Sequence, residues 1–196
     1  MSLPTVRVDR VEPKPWKNGG GAARELLCWP DEAGWSLRVS LAEIARDGPF
    51  SDYSGCERWF AVVSGAGVVL ALRGGRALLE PATAPLRFDG AEAPHCELLG
   101  GPTTDLNLVV RSQAGRGAMA IARPDEEHLS AAAWRGLYAA DATRLQIDDA
   151  DAALLPAGTL LWSDHGARQR WRVEPLDASA ARAWWLEFRP HTGAAA

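Results

Sequence analysis

Hydrophobic and polar residues alternate most regularly in the run Trp35-Ser-Leu-Arg-Val-Ser-Leu. An extended strand there puts Trp35, Leu37, Val39 and Leu41 on one face and Ser36, Arg38 and Ser40 on the other. Short runs with β-like content recur at Trp59–Val63, Val68–Leu72, Leu106–Arg111, Leu160–Trp162, Arg170–Val173 and Ala183–Phe188. Glycine and proline punctuate the chain at Gly48-Pro49, Gly65 and Gly67, Gly74-Gly75, Gly100-Gly101-Pro102, and Pro156 with Gly158. Many short strands between close turn signals predict an all-β chain. One stretch points the other way: Pro124-Asp-Glu-Glu-His-Leu-Ser-Ala-Ala-Ala-Trp-Arg-Gly, whose proline, acids and alanines suit a short helix or turn.

Length and composition narrow the architecture. The chain has 196 residues, 47% of them hydrophobic, enough to bury a core in one domain or in two small fused barrels. The region 111–123, with Gln113-Ala-Gly-Arg-Gly, is the best junction and divides residues 1–112 from 113–196. No exact repeat links the two parts, so any duplication is architectural. The net charge of −4 comes from 21 basic and 25 acidic residues spread along the chain, with no basic run to follow a phosphate backbone. Nucleic acid is therefore not an expected partner. No stretch reaches the roughly 18 apolar residues of a membrane span, and the N-terminus lacks the layout of a signal peptide, so the expectation is a cytoplasmic protein without a membrane partner. Cys28, Cys56 and Cys96 form no Cys-x-x-Cys pair and are expected to be buried small hydrophobes. The nine tryptophans suit either a core or a pocket lining.

The densest candidate chemistry is Pro15-Trp16-Lys17-Asn18-Gly19-Gly20-Gly21-Ala-Ala-Arg24-Glu25-Leu26. Three consecutive glycines permit close backbone approach, and a cation, an amide, a guanidinium and a carboxylate flank them. The spacing is not that of a P-loop. A glycine-rich turn with solvated charges remains the alternative. Likewise, the polar face carrying Arg38 and Ser40 either meets solvent or lines a cavity able to hold a carboxylate.

The run PWKNGGGAAREL resembles the N-terminal signature of the HutD/Ves family. The segments WSLRVSLAEIARDGPFSDYSGCERWFAVVSGAGVVL and FDGAEAPHCELLGGPTTDLNLVVR follow its pattern in order, and LLPAGTLLW follows it more loosely. The resemblance implies a cupin-like double β-barrel, or bicupin, with few or no helices, and a link to bacterial histidine utilisation. It places Lys17, Asn18, Arg24, Glu25, Arg38, Ser40, Ser51 and Arg58 at the family's polar motif positions as candidate ligand-binding residues, with Asp105 and Asn107 in support. Glu25 is expected to pair with Arg24, Lys17 or Arg58. Two departures stand out: Ala22-Ala23 replaces the family's usual polar residue and threonine after the glycines, and Asp52-Tyr53-Ser54-Gly55 replaces a turn that normally holds proline.

Metal-binding cupins need convergent histidines and a glutamate. This chain has four histidines, His95, His128, His165 and His191, and no His-x-His, so no metal or other cofactor is expected. His95 follows Pro94 where a second cupin motif would hold a ligand, and is read as a solvent-facing or satisfied side chain. His128 and His165 sit in polar, loop-like surroundings, and His191 falls in a terminal HTGAAA expected to fray. Ser64 lacks the context of a nucleophile elbow, and Glu126-Glu127 and Asp148-Asp149 suit solvated loops. Three functions fit the residues. The first is non-catalytic binding of a small acidic metabolite of the N-formylglutamate or urocanate class. The second is a metal-independent isomerase or hydrolase using Lys17 or Glu25, and the third is a homodimeric interaction module with an exposed β-edge.

Overall fold

A computed structural model describes residues 3–124, 126–176 and 182–191. The chain divides into two compact units: Val11–Gly117 together with His191, and the residues up to Arg10 together with Ala118–Pro190. Each unit consists of two antiparallel sheets packed on a core, in the cupin-like manner.

In the Val11–Gly117 unit, a six-stranded sheet runs in the order Lys14–Pro15, Gly21–Trp29, Leu37–Ile44, Thr103–Arg111, Cys56–Ser64, Leu86–Asp89. A four-stranded sheet runs Gly48–Pro49, His95–Leu98, Val68–Leu72, Gly75–Leu79. Their facing sides meet in a core of Ile44, Phe60, Val62, Val68, Leu70, Leu79, Phe88 and Cys96. The strand Thr103–Arg111 lies between two others and is buried on both faces, which is why Leu106-Asn-Leu-Val-Val reads as an almost continuous apolar run rather than an alternating one. Cys56 and Cys96 are buried and Cys28 is half-buried, all three as free thiols; burial pushes the Cys96 thiol up to about 12.

In the other unit, Thr5–Arg7, Thr159–Ser163, Trp134–Ala139, Ala183–Pro190 and Gly115–Ile121 form one sheet, in that order. His128–Ser130, Gln169–Pro175, Thr143–Ile147 and Ala153–Leu155 form the second. The core between them includes Leu137, Leu145, Leu155, Trp171, Val173 and Trp185. Four of the nine tryptophans serve packing in this unit: Trp134, Trp171, Trp184 and Trp185 are buried.

The helix-like stretch beginning at Pro124 does not form a helix. His128–Ser130 and Trp134–Ala139 are strands, and all six residues of the second are buried in the middle of a sheet. Burial of Trp134, Leu137 and Tyr138 overrides the local preference of the alanines. Asp125 lies outside the described residues. Only single 3-10 turns occur among the described residues, at Val8–Arg10 and Gly90–Glu92, and no helix among them is long and apolar enough to cross a membrane.

His128 is likewise not in a loop: its ring stacks on Trp185 at 4.7 Å, and its Nε2 lies 2.9 Å from Glu187 Oε1. Arg189 Nη2 donates to Glu187 Oε2 at 2.8 Å. Burial alone would raise the Glu187 carboxyl, but His128, Ser130 and Arg189 bring it down to about 2. A depressed carboxyl stabilises the fold above its unfolded value of 4.5 and loses that contribution as pH falls through about 2. Glu187→Gln is therefore expected to be destabilised by roughly 3 kcal/mol relative to wild type at pH 6, with the gap closing by pH 2. Urea unfolding at both pH values measures it.

Candidate functional site

Strand parity builds the site. Within the six-stranded sheet, Glu25 stands opposite Ser40, Ser40 opposite Asn107, and Asn107 opposite Phe60. One step along, Arg38 stands opposite Val109 and Val109 opposite Arg58. All point to the face of the sheet that lines a cavity of about 550 Å³. The alternation in Trp35–Leu41 thus has its polar side on a cavity wall, while Leu37 and Val39 on the other side are fully buried.

Of the residues singled out in the sequence, Lys17, Asn18, Glu25, Arg38, Ser40, Ser51, Arg58 and Asn107 line this cavity. Arg24 does not. It follows the parity of Leu41, opposite to that of Glu25, and its Nε donates to the Val11 carbonyl at 3.1 Å. Asp105 shares the inward face but lies beyond the cavity wall, fully buried; Thr103 Oγ1 donates to its Oδ2 at 2.7 Å and its Oδ1 has no partner among the described residues. Burial raises the Asp105 carboxyl to about 7.

The glycine run closes one side of the cavity. Gly19 takes a positive φ of 68°, Trp16 N–H donates to Gly21 O at 2.9 Å, and Gly20 N–H donates to Asn18 Oδ1 at 3.0 Å. The turn carries Trp16, Lys17 and Asn18 into the cavity wall. At Gly21 a Cβ would sit 2.0 Å from the Glu43 carbonyl oxygen, so any side chain there forces the strands apart. Gly21→Ala is expected to lose about 1–3 kcal/mol of stability in urea unfolding. In Gly20→Ala the new methyl meets only the Asn18 side chain, at 3.3 Å, and the change is expected to stay within about 0.5 kcal/mol.

Arg58 dominates the floor. It is 7% exposed, its Nη2 donates to Asn107 Oδ1 at 2.9 Å, and its Nη1 donates to the Ser51 carbonyl at 3.4 Å. Its guanidinium lies 4.9 Å from the Phe50 ring centroid and 5.2 Å from those of Tyr53 and Phe88. Its Nε has no acceptor, and no carboxylate among the described residues lies within ion-pair distance. Burial draws Arg58 down to about 10, so it remains a cation at neutral pH. Glu25 pairs with Arg38, not with Arg24, Lys17 or Arg58, and Arg38 also lies 5.2 Å from the Trp35 ring centroid. The wall therefore carries Lys14, Lys17, Arg38 and Arg58 against the single carboxylate of Glu25. Sequence reasoning passed over Lys14, Phe50 and Tyr53 in this wall, although the last two flank Ser51 in a motif segment.

Among the described residues no three His, Cys, Asp or Glu side chains are grouped so as to hold a metal ion. His95 is an exposed strand residue, and His191 is tied down by its ring nitrogen at 2.9 Å from Ser112 O, whereas residues 192–196 of the HTGAAA tail lie outside the described residues. The other unit also buries an arginine on an inward face, Arg135, which lies against the Trp171 ring. It donates to the carbonyls of Ser130 and Ala167 and stands opposite Glu187. Both guanidiniums donate from their Nη groups within their own unit and leave Nε without an acceptor among the described residues; what sets Arg135 apart is Glu187 opposite it, where Arg58 faces Val109.

The HutD family model matches residues 9–181. A 21.2 kDa protein from the hutC 3′ region of Pseudomonas putida is 33% identical over 124 residues, which cover 60% of this chain and 63% of that protein. Protein Ves of Cronobacter sakazakii is 29% identical over 108 residues, covering 55% of this chain and 60% of Ves. The matched part thus spans less than two thirds of either relative's length. The crystal structure of a conserved Pseudomonas aeruginosa protein of unknown function aligns over 96% of this chain and 99% of that one, with TM-score 0.84 and 26% identity. Oxalate decarboxylase from Bacillus subtilis shares the cupin fold alone, at TM-score 0.62 and 11% identity over 97% of this chain and 78% of its own.

Proposed function

The chain belongs to the HutD family, and from that premise we propose that it binds a small acidic metabolite in the Val11–Gly117 cavity, without a metal and without turning it over. The ligand we propose is an acidic intermediate of histidine degradation, of the N-formylglutamate or urocanate class. The observation that carries this reading is Arg58: a buried guanidinium, set against three rings and without a carboxylate partner among the described residues, opens onto a cavity with an excess of cations. A buried charge without a counter-ion is costly, and a ligand carboxylate that supplied one would gain charge-assisted hydrogen bonds. The metal-free part of the reading rests on the wall's donors, which are one carboxylate and no histidine or cysteine.

Thermal unfolding of chelator-treated protein against N-formylglutamate, urocanate, glutamate and histidine tests the proposal. An acid at 100 times its dissociation constant adds roughly 2.7 kcal/mol, a shift of several degrees in a chain of this size. A shift with one of the acids, and an unchanged NMR spectrum of that acid after prolonged incubation, is the expected result. No shift with any of them overturns the binding reading, and consumption of the acid overturns the non-catalytic part.

A further inference from the structure

We propose that Glu25 selects the ligand's chemistry at the end of the cavity away from Arg58, and that the ligand is therefore a carboxylic acid that also bears an N–H donor. The proposal rests on the reading that an acid sits at Arg58. Glu25 and Arg58 belong to strands separated by two others, so their backbones stand about 14 Å apart at the usual strand spacing, with Ser40 and Asn107 on the floor in between. The cavity is thus polarised along its floor. The buried Arg58 cation marks one end, and the Glu25–Arg38 ion pair, which holds the one carboxylate among the wall's described residues, marks the other.

Among the described residues, only one oxygen of Glu25 has a partner. Oε2 takes the Arg38 guanidinium, while Oε1 accepts no hydrogen bond from any described residue. Ser40, directly opposite, makes no side-chain hydrogen bond among the described residues either. A carboxylate offers acceptors and no donor. It repels a second ligand carboxylate at this spot and attracts an amide, ammonium or imidazole N–H, because a charged acceptor makes the stronger hydrogen bond. Any second carboxylate on the ligand is left to Lys14 and Lys17. Arg38 holds Glu25 from one side, so the open oxygen needs little rearrangement to receive the donor.

The test compares acids that differ only in the N–H: N-formylglutamate against its ester isostere 2-formyloxyglutarate, and urocanate against 3-(4-oxazolyl)acrylate, which keeps the second ring nitrogen. Titration calorimetry on the wild-type protein is expected to favour the N–H member of the binding pair by roughly tenfold or more. In Glu25→Leu the preference is expected to fall to within about twofold, with the ester or oxazole member bound no more weakly than before, since Arg38 is then freed. A merely structural role for Glu25 would weaken both members alike. Equal binding of both members to wild type, or a preference that survives Glu25→Leu, overturns the proposal. If both members bind equally and Arg58→Met abolishes both, the acid site stands and the role of Glu25 falls; if no acid binds wild type, both fall together.

Discussion

Replacing Arg58 by methionine is expected to abolish acid binding while leaving the empty protein as stable as wild type or more so. The two effects have opposite signs because the same guanidinium is a burden without a ligand and an anchor with one. Burial lowers Arg58 from 12.5 to about 10, which at neutral pH corresponds to roughly 3 kcal/mol of unfavourable free energy in the empty fold. For a base held below its usual value, that cost is present at neutral pH and relieved only as pH rises through about 10. Methionine keeps contact with Phe50, Tyr53 and Phe88, and replacing a buried charge by a packed apolar side chain is often neutral or stabilising. The Asn107 Oδ1 left without its donor offsets part of the gain. For binding, removing one partner of a buried charge pair costs about 2–5 kcal/mol, so affinity should fall by roughly thirtyfold or more. Urea unfolding gives the first sign and calorimetric titration the second. A variant that is much less stable, or that binds acid as well as wild type does, contradicts the assignment.

Asp105→Asn is expected to remove a large pH dependence of stability. The carboxyl is raised from 3.8 to about 7 by burial, with only the Thr103 hydroxyl opposing the shift. Below pH 3.8 both folded and unfolded chains hold the proton. As pH rises toward 7 the unfolded chain releases it and the folded one does not, so stability falls across that window and levels off above it. The loss amounts to about 4 kcal/mol between those limits. Asparagine presents an oxygen to Thr103 and never ionises. The variant should therefore match wild type near pH 4 and exceed it by several kcal/mol at pH 8, as measured by urea unfolding at each pH. Identical pH slopes in the two proteins contradict the prediction.

What could be read in the sequence depended on how local its cause was. Arg38 and Ser40 were legible because alternation in Trp35–Leu41 fixes which side chains share a face, and that face is a cavity wall. The same rule separates Arg24 from Glu25: neighbours on a strand diverge, and only Glu25 faces inward. The bulge between Glu25 and Leu27 shifts the register along the rest of that strand, and composition does not mark it. The partner of Glu25 was not legible, because Arg38 reaches it diagonally across a pairing set by the whole sheet. His128 read as a loop residue because Trp185 and Glu187, which hold it, arrive from a distant strand. The alanines after Ser130 carried a helical preference that the burial of Trp134 and its neighbours overrode. Thr5–Arg7 pairs with Thr159–Ser163, a long-range contact absent from any boundary drawn on local composition. Most consequential is the isolation of Arg58, which depends on which carboxylates fail to arrive beside it, and no local pattern records that.

The most direct test of the account is side-chain NMR of the arginine Nε–H groups, with the Arg58 signal assigned by its loss in Arg58→Met. The Nε of Arg58 is buried and has no acceptor among the described residues, so its proton is sheltered from solvent and should report any change in the guanidinium's surroundings. Titration with N-formylglutamate or urocanate is predicted to move this signal in a saturable way while that of Arg135, whose Nε is equally buried but lies in the other unit, stays in place. An Arg58 signal that does not move while the acid demonstrably binds would mean that the ligand sits elsewhere, and the cavity would lose its role.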